Sequence, residues 1–312
     1  MKLGLSVRFD LAKNSDPVEG LEQLKEEVRF ARDAGFRIVQ IGDRHATTFP
    51  VLSGIPLASH LAAISGDMTV SCLFILPFYD PVLLAEYISN LDVLSHGKFL
   101  PTFAIGRWER DFSSLRIQLS HRKSRFEESL QIMRMLWNRD NVSFNGKRFA
   151  IENVTINPKP VQKPLPLWIA GDSEAAMNRA AQLANAWLLR ARLLDEQVVE
   201  RISAFREALK KYGRLDEAKA FPIRRNVHLA KTFDRAVQEA APYVKRGALG
   251  GEEKLEGTGI VVGSAKECID NFKRLETLGI DTVMIRQIVD DHPLVMDMLQ
   301  IFRDEVLPAI SR

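Results

Sequence analysis

Four short stretches of this chain combine residue types that can move protons or hold anions. Gly42-Asp43-Arg44-His45 sets an acid, a fixed cation and a group titrating near neutrality side by side. Such a triplet suits proton transfer or a hydrogen bond to a bound ring, and it reads equally as a loop ion pair with a solvated histidine. Gly171-Asp172-Ser173 reads as the opening of a helix, where free N–H groups and a serine hydroxyl make a seat for phosphate; a plain N-cap by Asp172 or Ser173 accounts for the same residues. In Gly106-Arg107-Trp108 the arginine supplies a counter-charge for a phosphate, or is simply solvated. Phe78, Tyr79 and Trp108 can wall a flat aromatic ligand or a substrate, or pack the mouth of a fold. Cys72 lies in an apolar run and reads as a small buried hydrophobe.

The elements that must position these residues follow from the hydrophobic period. Short apolar runs alternate with longer segments whose apolar residues recur every three or four positions. Strands are expected near residues 4, 39, 72, 101, 168, 187, 226 and 284, with helices between them. Val142 to Val154, with Asn145-Gly146 at its centre, predicts a β-hairpin insertion. The glycine-rich stretch from Arg246 to Gly263 has no clear period and is expected as a mobile rim loop. Eight strands with intervening helices predict a single α/β domain over residues 1–312, a (β/α)8 TIM barrel. In that fold the loops after the strands build the active site at one mouth. The four stretches follow the expected second, third, fourth and fifth strands, so they are expected to converge.

Composition excludes other classes. The 312 residues are 46% hydrophobic and 27% charged, ordinary for a folded protein rather than a disordered one. The net charge of +3 is dispersed along the chain, which argues against a nucleic-acid partner. Apolar runs are too short for a membrane span, no secretion signal is visible, and two distant cysteines offer no disulfide framework; a cytoplasmic protein is expected. The histidines show no ligand spacing, so no metal is expected. Dinucleotide-fold, P-loop and serine-hydrolase motifs are missing from the sequence.

Pro81-Val82-Leu83-Leu84-Ala85-Glu86, Leu91-Asp92-Val93-Leu94-Ser95-His96-Gly97-Lys98-Phe99 and Trp108-Glu109-Arg110-Asp111-Phe112 resemble the central signature of the bacterial luciferase-like superfamily. The later runs Phe144-Asn145-Gly146, Pro158-Lys159-Pro160-Val161-Gln162 and Pro166-Leu167-Trp168-Ile169-Ala170-Gly171 continue the likeness in order along nearly the whole chain. The resemblance implies a (β/α)8 barrel with insertions that binds the deazaflavin F420 or FMN at its mouth, as a homodimer. It implies a non-prolyl cis peptide at Cys72-Leu73 pressing on the cofactor ring. It assigns Arg107, Gly171, Asp172 and Ser173 to the regions that hold the cofactor phosphate and counts Gly106 with the cofactor-binding residues, with Ala176 where the luciferase pattern has a threonine. Arg44 stands where luciferase has its catalytic histidine, and an arginine is no base at neutral pH. The expected activity is therefore F420-dependent hydride transfer to or from a small organic substrate. His45 would be the acid/base, Asp43 its orienting partner and Arg44 an anion stabiliser. A reduced-FMN-dependent two-component monooxygenase served by a separate reductase is the alternative. A flavin-binding protein without catalysis, or an aldolase or isomerase barrel with a phosphorylated substrate, are the remaining readings.

Overall fold

The computed structural model describes residues 1–8, 16–218, 220–245 and 259–310. Eleven strands are formed among them: β1 (Lys2–Ser6), β2 (Ile38–Ile41), β3 (Thr69–Ile75), β4 (Phe99–Ala104), β5 (Val142–Asn145), β6 (Ala150–Val154), β7 (Trp168–Ala170), β8 (Ala186–Leu188), β9 (Pro222–Leu229), β10 (Ile260–Gly263) and β11 (Thr282–Gln287). Nine make one parallel sheet in the order β10-β9-β11-β1-β2-β3-β4-β7-β8. β5 and β6 pair separately as an antiparallel hairpin, as the Asn145-Gly146 turn predicts. The sheet is curled, and one isolated parallel bridge from Leu189 to Ile223 links the chain just past β8 to β9.

Local chemistry sets the element ends. The helix Pro17–Ala34 begins at Asp16, whose carboxylate accepts the Val18 N–H at 2.8 Å, and stops at Gly35 in the left-handed region. The helix Pro81–Leu94 is capped by Asp80, which accepts from Val82 and Leu83. The main core lies between the convex face of the sheet and the helices, from Leu3 and Val39 through Phe103 and Phe272. A separate apolar cluster of Ile38, Leu100, Trp168, Ala186, Leu188 and Met284 joins side chains from strands far apart in the sheet order, so it fills the concave face. The helices alone would leave these strand residues wet; the curl buries them against one another.

Two features depart from the expected pattern. Within the stretch expected as a loop, Ile260–Gly263 adds to β9 as a ninth strand, because Ile260 to Val262 can pair and Ser264 then caps the next helix. The rest of that stretch, residues 246–258, lies outside the described residues. The arginine-rich segment after β4 contains a short helix, Glu109–Ser114, which buries Phe112. Among the described residues no helix is long and apolar enough to cross a membrane.

Candidate active site

Ile41 of β2 pairs with Cys72 of β3, so the chain leaving β2 runs level with the end of β3. Asp43 is thereby set against the Ile75 N–H, which donates to its Oδ2 at 3.0 Å. The short 3-10 turn Leu76–Phe78 brings the following residue back, and the Tyr79 hydroxyl donates to the same carboxylate at 3.0 Å from either oxygen. His45 completes the group: its Nε2 is 2.8 Å from Asp43 Oδ1 and 3.1 Å from the Tyr79 oxygen. Phe78 and Tyr79 meet the imidazole edge-on, with ring centroids 5.9 and 5.8 Å away.

The three groups differ in what they can do. The Asp43 side chain is fully buried, whereas that of His45 is 24% exposed, so of this ion pair His45 is the member a ligand can reach. The hydrogen bond to Asp43 raises the histidine's pKa above its ordinary value, against the opposing effect of burial. Burial, and then the charge of Asp43, push the Tyr79 hydroxyl up out of any working range, so it stays a donor. With Nε2 committed to Asp43, Nδ1 is the nitrogen left to exchange a proton. The third residue of the expected triplet goes elsewhere: Arg44 is exposed, and its guanidinium lies 5.6 Å from the centre of the Phe49 ring.

Phe78 links this group to the loop after β4, because its ring meets Phe112 edge-on at 4.8 Å. Gly106 has φ of +74°, and a Cβ there would stand 2.8 Å from Ile75 Cγ2 and 2.9 Å from Phe112, so the close approach of the two loops requires glycine. Next to it the Arg107 guanidinium covers the Trp108 ring at 4.6 Å. Trp108 is 59% exposed, so it forms part of the rim rather than an inner wall.

On the other side, Ser173 caps the helix Glu174–Leu183 by accepting the Ala176 N–H at 3.2 Å. Gly171 accepts the Trp187 indole N–H at 2.7 Å, and the Asp172 carbonyl accepts from Arg201 at 3.1 Å. Asp172 also faces Arg190, 3.7 Å from its carboxylate, across a small crevice lined by Gly171, Trp187 and Leu189. Burial, then Arg190 and Arg107, lower the pKa of Arg192, so three guanidiniums share one corner of the mouth. Arg190 and Arg192 were not among the expected site residues; their signal is the same position rule, since they follow β8 directly.

β3 departs from expectation at its centre. The cis peptide bonds among the described residues are Asn157–Pro158 and Lys163–Pro164, and Cys72–Leu73 is trans. The ladder from Val70–Phe99 to Ile75–Ala104 runs through this bond without a break in register, which keeps the strand extended. The Cys72 thiol points to the convex side, where a Cβ on Gly54 would be 2.9 Å from its sulfur. Full burial pushes this thiol well up, which makes it inert. Leu73 is half-buried.

The sequence profile described as "Luciferase-like monooxygenase" matches residues 1–282. Over 172 residues the chain is 22% identical to an FMNH(2)-dependent dimethylsulfone monooxygenase of Pseudomonas fluorescens; the match covers 53% of this chain and 47% of that enzyme, about half its length. Among solved structures, the monooxygenase RslO1 from Streptomyces bottropensis superposes with a TM-score of 0.84 at 19% identity, covering 99% of both chains. An F420-dependent secondary alcohol dehydrogenase superposes with a TM-score of 0.82 at 16% identity, covering 99% of this chain and 98% of that one. At these identities the structural matches establish the fold.

Proposed function

Because this chain belongs to the luciferase-like monooxygenase family, we propose that it is an oxidoreductase that moves a hydride between F420 and a small organic substrate at the mouth of a (β/α)8 barrel. The observation that carries the reading is the Asp43–His45–Tyr79 group, a proton carrier fixed by a buried carboxylate. Hydride transfer at a carbon bearing oxygen requires such a group, since the hydride and the hydroxyl proton leave by separate routes.

The residues present suit the cofactor. Arg107, Arg190 and Arg192 offer cationic charge for a phosphate beside the helix capped by Ser173. Gly106 and Gly171 bring bare backbone to the mouth, and half-buried Leu73, Ile75 and Phe78 supply apolar surface for a flat ring. When bound, F420 supplies a ring carbon that accepts or gives the hydride. His45 Nδ1 takes the hydroxyl proton of an alcohol as its C–H bond is broken, or gives that proton back when a carbonyl is reduced. Asp43 holds the imidazole and balances its charge, and Tyr79 holds Asp43. Phe78 and Trp108 border the substrate, and Arg44, turned away over Phe49, takes no part in proton transfer.

The likeness to the dimethylsulfone monooxygenase and to RslO1 favours a second reading, a monooxygenase using reduced FMN from a separate reductase. Titrating apo-protein with F420, with FMN, and anaerobically with reduced FMN decides between them. Tighter binding of F420 is expected; preference for reduced FMN replaces hydride transfer by oxygenation, and binding of neither refutes both. In both readings the enzyme is a cytoplasmic homodimer, for which light scattering should give a mass near twice 35.3 kDa.

A further inference from the structure

β9 carries two arginines in succession, and the alternation of a strand sends them to opposite faces of the sheet. Arg224 turns to the concave face, where its Nη2 donates to Gln40 Oε1 of β2 at 3.0 Å. Arg225 turns the other way, with Ile223 and Val227, which belong to the core between the sheet and the helices. It is 1% exposed. Its guanidinium ends against the chain that leaves β8 for the helix Asp195–Lys211. There Nη1 donates to the Ala191 carbonyl at 2.9 Å and Nη2 to the Leu193 carbonyl at 3.2 Å.

A buried cation costs free energy unless an acid pairs with it. Among the described residues no carboxylate bonds to Arg225, and the nearby acid, Asp195, is paired with Arg274 at 2.6 Å. Arg225 Nε is buried without a partner. Burial pushes the pKa of this side chain down to about 10, yet the guanidinium remains charged at neutral pH. An apolar side chain would fill the same place beside Ile223 and Val227 without that cost. What a guanidinium adds is a rigid fork whose two arms hold two carbonyls of one loop at once.

Those two residues alternate with the arginines of the rim. Leu189 is already fixed by its bridge to β9, donating its N–H to the Pro222 carbonyl and accepting the Arg224 N–H, each at 3.0 Å. Arg225 adds Ala191 and Leu193, so Arg190 and Arg192 each stand between two anchored residues. Gly259, just ahead of β10, packs on the same carbonyls: a Cβ there would stand 2.8 Å from the Ala191 oxygen and 2.9 Å from the Leu193 oxygen. Leu193 itself lines the crevice shared by Arg190, Gly171 and Asp172.

We propose that Arg225 is a positioning residue for the cofactor phosphate, which sets, through the carbonyls of Ala191 and Leu193, where Arg190 and Arg192 present their charge at the mouth. The inference rests on the reading of that corner as the seat of the phosphate. Arg225 does not touch the ligand. It keeps the backbone under the two rim arginines fixed before the cofactor arrives, so less order has to be created on binding.

Two ligand pairs test this, each differing by the phosphate-bearing chain: F420 against its deazaflavin chromophore alone, and FMN against riboflavin. Fluorescence titration of apo-protein gives the ratio of affinities within the pair that the wild type binds, and the wild type should prefer the phosphate-bearing member. Arg225→Met should cut that preference about tenfold, the worth of roughly one charge-assisted contact, and leave the affinity for the phosphate-free member unchanged. A general loosening of the fold would lower both affinities together. Arg225→Lys keeps the charge without the fork and should fall between wild type and Arg225→Met. Gly259→Ala crowds the same carbonyls and should also cut the preference. If Arg225→Met does not fold, Arg225→Lys and Gly259→Ala carry the test. A preference that persists in the variants overturns the positioning role, and so does an equal loss for both members of the pair, which makes Arg225 a structural residue only. A wild type with no preference for the phosphate, or one that binds none of the four ligands, refutes instead the reading of the corner as a phosphate seat, and the role of Arg225 falls with it.

Discussion

Asp43→Asn keeps the shape of the buried side chain and removes its charge, so it isolates what the carboxylate does. Three donors converge on Asp43: the Ile75 N–H, the Tyr79 O–H and His45 Nε2. A hydrogen bond to a charged group is worth about 1.5–3 kcal/mol and a neutral one about 0.5–1.5. Replacing the acid by the amide therefore removes about 1 kcal/mol per donor, or about 3 kcal/mol in all, below the pKa of His45. The fixed Ile75 N–H keeps the amide oxygen on its side and turns the amide N–H₂ toward His45. To accept from it, the imidazole must present its lone pair at Nε2 and carry its proton on Nδ1. That is the wrong tautomer for a base at Nδ1, and turnover should fall by roughly 10²- to 10⁴-fold. The sign of the pH dependence follows from the raised pKa of His45 in the folded state. Its contribution is complete below the ordinary value of 6.5 and fades as pH rises through the native pKa. Urea unfolding of wild type and variant across this range should show a stability gap that narrows as pH rises, and the His45 NMR titration should move to lower pH in the variant. A gap independent of pH, or a histidine titrating alike in both proteins, would refute the coupling.

Tyr79→Phe removes one charged hydrogen bond and should cost about 1.5–3 kcal/mol in denaturant unfolding; an unchanged midpoint would mean the hydroxyl does not hold Asp43. Gly106→Ala combines a left-handed residue with contacts under 3 Å to Ile75 and Phe112, for a loss of roughly 2–4 kcal/mol. Gly213→Ala, also left-handed but with open space around it, should cost only about 1–2 kcal/mol, and equal thermal shifts for the two would discount the crowding at Gly106. Both cysteines are buried, so a thiol reagent should label neither in the native protein and both together on unfolding; rapid labelling of Cys72 would contradict its placement behind β3.

How much of this was legible in the sequence depended on how local each feature is. The eight expected strands could be read because buried parallel strands are apolar runs with clear ends. The ninth, Ile260–Gly263, is four residues behind a glycine-rich stretch, too short to show a period. Asp43 and His45 were found by their position after a strand, and the structure brings them together. Their neighbour Arg44 was grouped with them by adjacency, but consecutive residues in a loop point in different directions, and it leaves for Phe49. Tyr79 was expected as a wall; its bond to Asp43 spans 36 residues and depends on the turn at Leu76–Phe78. The meeting of Gln40 and Arg224 spans 184 residues and exists only because the sheet curls.

The order of the three groups around the proton explains why two fixed donors are needed. When His45 is protonated, its charge and that of Asp43 cancel in a site closed to bulk water on the Asp43 side. When His45 has given its proton away, the buried carboxylate is left without a cation, a state that costs free energy unless other donors hold it. The Ile75 N–H cannot titrate, and the Tyr79 hydroxyl is held far above its ordinary range by burial and by Asp43 itself. These two donors therefore serve the carboxylate in both states. His45 can cycle between its forms at Nδ1 while Asp43 stays in place, so the proton is exchanged at a partly exposed ring and not at the buried carboxylate.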